Sequence, residues 1–338
     1  MSFQDIIGHK NAIKRLRALI AGERVPPALL FHGPEGVGKF LAASEFAKAI
    51  NCTGPAVSED AADGLFSEPP PAAQPAPEGP SADACGACVS CSQADKGVHP
   101  DLRVIDSRFQ GLLLDEDEQK QRTLRIDTVR EFTRYVYQKA ILSKWKVFIV
   151  NDAHTLNNQS QNAMLKVLEE PPPFNLFILV AAKKNLLIPT ILSRSCAVEF
   201  SRLSQEEVSG VLTRGGMDPE EARTLGGLSG GSVRKAMDIK KVRDRIAGAA
   251  AGPRGVFRLV SGLPREPYLA REEAKLMLDM LLVSARKEWL SRPPLPSSPH
   301  AALIRKLLEY RRYLNQNVSH GLVLEAALLE CGKMSITL

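Results

Sequence analysis

Apolar residues Ile13, Leu16, Leu19 and Ile20 recur at helical spacing, with Lys14, Arg15 and Arg17 between them, and predict an opening amphipathic helix. Past Pro26 and Pro27, the run ALLFH (28–32) is apolar almost throughout, the pattern of a parallel strand covered on both faces. It leads directly into GPEGVGKF and a helical stretch from Leu41 to Ile50. Similar runs return at Leu102–Ile105, in KVFIVND (146–152) and in FILVA (177–181). Between them, Val129, Phe132 and Val136 mark the inner face of a helix capped by Asp127 and running to about Gln138. A helix over Asn162–Glu169 must stop at Pro171–Pro173. From Ser204 the strand pattern ceases. Helices are expected at about 204–214 and 218–226, opening at GGSVRKAM (230–237), and at about 271–290, 301–316 and 319–331. Strands alternating with helices, followed by helices alone, predict an α/β domain, a small helical domain and a C-terminal all-α domain.

Two stretches interrupt this pattern. Residues 53–84 are low in complexity: half of the twelve positions from Pro69 to Pro80 are proline, which predicts a solvated, disordered loop. Ala247–Gly252 reads as a linker, Arg292–Pro299 as a proline-rich break, and the acidic Asp115–Glu118 as a loop tip. Composition adds that 44% of the 338 residues are hydrophobic, enough for a sizeable core. The net charge is +6, but residues 53–84 hold six acids and no base, so the remainder sums to +12. That excess permits contact with nucleic acid without requiring it. No apolar run approaches the roughly 18 to 20 residues that span a bilayer, and the opening residues lack a signal-peptide pattern, so a cytoplasmic protein without membrane contact is expected.

The candidate chemistry begins at the first strand. Gly33, Gly36, Gly38 and Lys39 follow the G-x-x-x-x-G-K pattern in a strand–loop–helix context, where backbone N–H groups converge on phosphate oxygens and the lysine neutralises them. The next position should be Ser or Thr to hold Mg²⁺, and here it is Phe40. After the VFIV strand, an acidic pair should complete the metal site, but the chain has Asn151 and Asp152. Losing both Mg²⁺-holding positions predicts a phosphate-loop fold with a silent active site. Whether Lys39 retains ATP without hydrolysis is left open.

Cys85, Cys88 and Cys91 at x₂ spacing, with Cys52, supply four thiolates, the set for a closed structural Zn²⁺ site. The 32 residues between Cys52 and Cys85 add little closure cost, which grows only with the logarithm of loop length. His99 is the alternative fourth ligand. Cys196 and Cys331 are expected to be small core residues.

NAMLKVLEEPP (162–172), the strand FILVA and IPTILSRS (188–195) together resemble the bacterial DNA polymerase III clamp-loader subunits of the AAA+ class. The resemblance extends through FQDIIGHKNAIKRL and the cysteine insert, over roughly residues 1–240. It implies a RecA-like AAA+ P-loop domain over 1–202, a helical lid over 203–245 and, by position alone, an oligomerisation collar over 253–338. It also implies gamma/tau and delta subunits as partners, and the sliding clamp and primed DNA as contacts made through the complex. A location at the bacterial nucleoid during replication follows. Within the family, the degenerate nucleotide site points to the delta-prime branch, a non-hydrolysing stator. The family's arginine finger then maps to Arg194, offered in trans to a neighbour's ATP. Arg194 pairing with a carboxylate at the sheet edge is the plainer reading. Arg234 resembles the nucleotide-facing arginine of the lid, and bracing the lid is equally open. Lys183 and Lys184 read as solvated charges.

Two other functions compete. An active gamma/tau-type ATPase would have to work with Phe40 and Asn151, and a zinc-dependent DNA-binding module would need a basic and aromatic stripe that is not seen.

Overall fold

The computed structural model describes residues 2–22, 24–54, 82–117, 121, 123–247, 253–291, 298–316 and 318–333. The proline-rich centre of the expected loop (55–81), Glu118, the linker at 248–252 and the break at 292–297 lie outside the described residues.

The chain divides into two compact units, the first comprising residues 1–222 and 230–233 and the second 223–229 and 234–338. The first holds a sheet of five parallel strands: β1 (Ala28–His32), β2 (Leu102–Ile105), β3 (Lys146–Val150), β4 (Asn175–Ala181) and β5 (Cys196–Glu199), in the order β2-β3-β4-β1-β5. The all-parallel sheet, with the glycine loop leaving β1, is the α/β P-loop domain expected; the strand order is not legible in the sequence. β1 lies at the centre, pairing Leu30 with Leu179 of β4 and with Ala197 of β5.

Strand residues alternate between two apolar layers because successive side chains point to opposite faces. Leu29, Phe31, Val147, Ile149, Leu176 and Ile178 pack under helices α1 (Lys10–Ala21) and α2 (Lys39–Ile50). Leu30, Phe148, Val150, Phe177 and Leu179 face the opposite layer. α3 (Val89–Asp95), which packs against α2, and α4 (Ser107–Leu114) flank β2 in sequence, while α5 (Ile126–Val136) and α6 (Asn158–Glu169) cover the opposite face of the sheet, with α7 (Pro189–Arg194) leading into β5. Phe148 stacks on Phe177 with ring centroids 5.4 Å apart in this second layer.

Asp127 does not cap α5: the cap is Arg125, which makes no side-chain cap bond, and Asp127 falls in the first turn. A carboxylate there still complements the helix dipole. α6 begins earlier than its apolar spacing indicates, because the Asn157 side chain accepts from Ser160 N at 2.8 Å and caps it. β5 carries only one buried side chain, Val198, so no continuous apolar run announces it.

After β5 the described elements are helices: α8 (Gln205–Arg214), α9 (Pro219–Leu228) and α10 (Val233–Ala247), then α11 (Pro253–Ser261), α12 (Pro267–Leu290), α13 (Pro299–Tyr313) and α14 (His320–Lys333). In the second unit α12 packs against α13 and α14, burying Met277, Leu278, Met280, Leu281, Leu303, Leu307, Leu324 and Cys331. Met280 and Leu281 are therefore core residues of that unit, and Leu276 is half-buried. Arg305, Lys306, Arg311 and Arg312 form an exposed face, where Arg311 pairs with Asp279 at 2.6 Å and Lys306 with Glu330 at 3.4 Å. None of the described helices is long and apolar enough to cross a membrane.

Candidate nucleotide site and cysteine centre

The glycine loop joins the C-terminal end of β1 to α2, and its tight course explains its residues. Gly33, Gly36 and Gly38 all have positive φ (141°, 72° and 101°). At Gly33 a side chain is also excluded by space: a Cβ would lie 1.9 Å from the Phe200 carbonyl oxygen beyond β5. Two further contacts hold the loop. His9 Nε2 lies 2.7 Å from the Val37 carbonyl, which can only accept, so Nε2 carries the proton. Val233 N, also of the first unit, donates to the Gly36 carbonyl at 2.9 Å.

Lys39 opens α2 and is buried. Its ammonium donates to the loop's own carbonyls, to Gly33 O at 2.8 Å and to Pro34 O. Burial lowers its pKa, while the negative charges of Asp152 and Glu35 act in the opposite sense. Phe40, at the position that should offer a hydroxyl, is 39% exposed. Asn151 is half-buried just past β3, with its backbone N donating to Ile105 O at 2.9 Å. Asp152 takes a left-handed backbone (φ 51°), where a short polar side chain is tolerated better than a branched one.

Sequence reasoning overlooked Glu35 and His154. Both bear on this site, since His154 is lowered by burial while Asp152 and Glu35 pull it up. Glu35 sat inside the recognised motif, at a position where any residue is allowed, so its charge alone could have flagged it. Lys183 and Lys184 are exposed as expected, yet their fields reach His154 and His32 respectively.

Arg194, the last residue of α7, is exposed. It pairs with Glu169 at 2.8 Å and donates to Thr190 O at 3.3 Å. This ion pair links two of the three sequence segments that carried the family resemblance. Arg234 is exposed in the first turn of α10, within the second unit. Cys196 differs from the expected core residue. It is half-buried, and its sulfur accepts from Arg15 at 3.1 Å.

The cysteine centre lies on the α2 side of the sheet. Cys52 follows α2, Cys85 and Cys88 precede α3, and Cys91 is inside it. Their four sulfurs lie within 4.8 Å of one another, with Cys85 and Cys91 4.0 Å apart. Zn–S bonds of about 2.3 Å in a tetrahedron place sulfurs about 3.8 Å apart, so the cluster fits a thiolate-bound ion with slight contraction. Burial pushes the Cys52 and Cys91 thiols up. Burial also acts upward on Cys88, but hydrogen bonds from the Cys91 and Thr53 backbones outweigh it and bring this thiol down to about 6. Four soft ligands with no open position can hold a metal ion in a structural role.

His99 is committed elsewhere. Its Nδ1 accepts from Asp101 N at 3.1 Å, and its Nε2 lies 3.0 Å from Ser143 Oγ and 3.1 Å from Ser90 Oγ. Nearby, the buried Asp101 carboxylate accepts from the backbone N–H groups of Ile141, Leu142 and Ser143 at 2.7–2.8 Å. Burial acts upward on Asp101, and these three donors more than offset it and lower its pKa.

Residues 73–204 match the family described as DNA polymerase III, delta subunit. The chain is 25% identical over 283 residues to the DNA polymerase III gamma subunit of Buchnera aphidicola, covering 82% of this chain and 68% of the relative. It is 29% identical over 238 residues to the delta-prime subunit of Pseudomonas aeruginosa, covering 68% and 61%. With the tau/gamma subunit of Haemophilus influenzae it shares 28% identity over 208 residues, covering 62% of this chain and 25% of the relative. The chain therefore spans from a quarter to about two-thirds of the length of these relatives. Among solved structures, a gamma subunit-related protein from Thermotoga maritima matches at a TM-score of 0.49 and 16% identity, over 95% of this chain and 99% of the other.

Proposed function

We propose, from its similarity to DNA polymerase III clamp-loader subunits, that the chain is a member of that family and a delta-prime-type subunit, a stator that does not hydrolyse ATP. It assembles with gamma/tau and delta subunits in the bacterial cytoplasm, at the nucleoid during replication. There it helps to open the sliding clamp and place it on primed DNA. Residues 1–202 serve as the AAA+ domain, 203–245 as the lid and 253–338 as the collar that joins the other subunits.

The observation that carries this reading is the pairing of Phe40 with Asn151 at the two positions that should hold Mg²⁺. A phenyl ring offers no ligand to a hard cation and an amide offers no charge, so the metal that neutralises phosphoryl transfer has no seat. Lys39 adds support, since its ammonium is already satisfied by loop carbonyls that a phosphate would have to displace. In this reading Gly33, Gly36, Gly38 and Lys39 keep the fold of a nucleotide site, and Arg234 braces the lid or meets a nucleotide held without hydrolysis.

Arg194 is the part that acts. It is delivered to ATP on the neighbouring gamma/tau-type subunit, where its guanidinium stabilises charge developing on the transferred phosphoryl group. Its partner Glu169 does not lock it: both side chains are more than a third exposed, 37% and 45%, and such pairs contribute about 0–1 kcal/mol. A phosphate can take Glu169's place. The four cysteines hold Zn²⁺, which closes the segment between α2 and α3.

Intact Gly33, Gly38 and Lys39, with the charge of Asp152 close enough to act on Lys39, favour a second reading, a working gamma/tau-type ATPase. Steady-state ATP hydrolysis by the purified chain with Mg²⁺ separates the two. The stator shows no turnover above a Lys39→Ala control. Turnover abolished by Lys39→Ala establishes the ATPase and removes the stator.

A further inference from the structure

The segment from Ser2 to His9 is a strap with three anchors. At its start, Phe3 N donates to Asp83 Oδ1 at 2.9 Å, and Arg17 of α1 pairs with Asp83 Oδ2 at 2.9 Å while lying 5.8 Å over the buried Phe3 ring. In its middle, a capping box between Ser2 and Asp5 shapes a short 3₁₀ turn, and the Asp5 carbonyl accepts from Arg214, the last residue of α8, at 3.0 Å. At its end, His9 holds the Val37 carbonyl of the glycine loop. Gly8 passes so close to Leu203 that a Cβ would meet it at 2.5 Å, so the strap has little room to shift.

Asp83, the first anchor, is two residues from Cys85, whose backbone N donates to the Cys52 sulfur at 3.3 Å. Composition alone assigned Asp83 to the solvated loop. In the structure its carboxylate is half-buried and receives three donors, from Phe3, Ala84 and Arg17. On the other side of the centre, α3 is fixed to α2 by Asp95 and Lys48, 2.7 Å apart. The cysteine centre therefore has a rigid side toward α2 and a second side whose one ionic arm reaches the strap.

We infer that the cysteine centre, through Asp83 as a positioning residue, holds the strap that joins α8 to the glycine loop. Metal occupancy and the order of α8 are then thermodynamically linked. Whatever loosens Asp83 frees Phe3 and Asp5, and the release of Asp5 frees Arg214. By the same linkage, fixing the strap tightens the metal. The inference uses no activity and stands whether or not the chain is a stator.

The test is amide hydrogen exchange on the full chain, read by mass spectrometry over residues 3–9 and 209–214, with metal content measured in parallel. The metal-loaded protein is compared with the chelator-stripped protein and with Asp83→Ala and Asp83→Asn. Asp83→Ala keeps its metal and raises exchange in both segments by roughly tenfold or more, the range for losing charge-assisted hydrogen bonds. Residues 158–169 stay at the wild-type rate. Asp83→Asn, which retains an acceptor for Phe3 N, falls between. Stripping the metal raises the same two segments and adds little to Asp83→Ala. Should Asp83→Ala fold poorly, Arg17→Met removes the ion pair from the α1 side, loosens the Asp83 carboxylate and raises exchange in the same two segments, by less because the bond from Phe3 N remains. Wild-type exchange over 3–9 in metal-loaded Asp83→Ala overturns the inference. So does a stripped protein altered only over 82–95, or a chain that purifies without metal.

Discussion

Lys48 offers the sharpest energetic test of how the α2 layer is held. Its side chain is 2% exposed and lies 2.8 Å from Glu45, itself 6% exposed, and 2.7 Å from Asp95. Burial acts to lower the Lys48 ammonium, but pairing with Asp95 and Glu45 outweighs it and holds it above its ordinary range. Burial raises Glu45, and Lys48 opposes that rise. Lys48→Met keeps much of the stem volume and removes the charge, leaving Glu45 buried with no counter-ion. Breaking such a pair costs about 3–5 kcal/mol.

The variant escapes part of that cost by protonating Glu45 in the folded state. From an unfolded pKa of about 4.3, protonation costs about 1.36 kcal/mol per pH unit, or about 4 kcal/mol at pH 7.5 and about 1.6 kcal/mol at pH 5.5. The sign follows from linkage. A carboxyl whose folded pKa is raised contributes stability below its unfolded pKa and loses it as pH rises toward the folded value. Lys48→Met is therefore more destabilised at pH 7.5 than at pH 5.5, by about 2–3 kcal/mol. Urea unfolding followed by Trp145 fluorescence in a Trp289→Phe background reads this layer directly, because Trp145 exchanges two backbone bonds with the Asn51 side chain at the end of α2. Adding Glu45→Gln to Lys48→Met should restore most of the loss at pH 7.5. A deficit that is independent of pH, or below about 1 kcal/mol at pH 7.5, refutes the buried-pair reasoning.

Gly33→Ala, whose Cβ would collide with the Phe200 carbonyl, should lower stability by more than about 3 kcal/mol by the same urea assay. Gly38→Ala meets open space and bears only positive-φ strain, about 1–2 kcal/mol. Cys88→Ser should take the purified chain from one zinc to none by elemental analysis, and a wild-type chain free of zinc ends the zinc assignment. Phe177→Ala removes one ring of the stack with Phe148 and should cost about 3–5 kcal/mol in the same unfolding experiment.

The strands buried on both faces were legible because nothing but a continuous apolar run serves such a position. β1 and β2 agree residue for residue with their runs, and β3 and β4 differ only at their ends. β5 was not legible, since an edge strand with exposed Ala197 and Glu199 carries no such run. The phosphate loop could be read because its glycines answer a local backbone demand, and the cysteine centre because ligand spacing is local too. What the sequence hid were long-range partnerships of ordinary residues. Asp83 with Phe3 and Arg17, and Lys48 with Asp95, join segments far apart in the chain with no period to reveal them, and of the carboxylate expected beside Arg194 only its identity, Glu169, was hidden. Lys48 was hidden further by its place in a helix whose burial extends to Glu45 and Lys48 as well as to its alanines.

As the proposed stator, this chain would lend Arg194 to a neighbour and hydrolyse nothing itself. The most direct test is ATP turnover in a mixture of the chain with gamma/tau and delta subunits, clamp and primed DNA, with wild-type Arg194 or Arg194→Ala. Since Arg194 loses only an exposed ion pair and one exposed bond to Thr190 O, the variant should fold and assemble normally. The account predicts that turnover at the neighbouring site falls by a factor of about 10³ or more, in the range of a lost arginine finger. Unchanged turnover in an intact complex would contradict it.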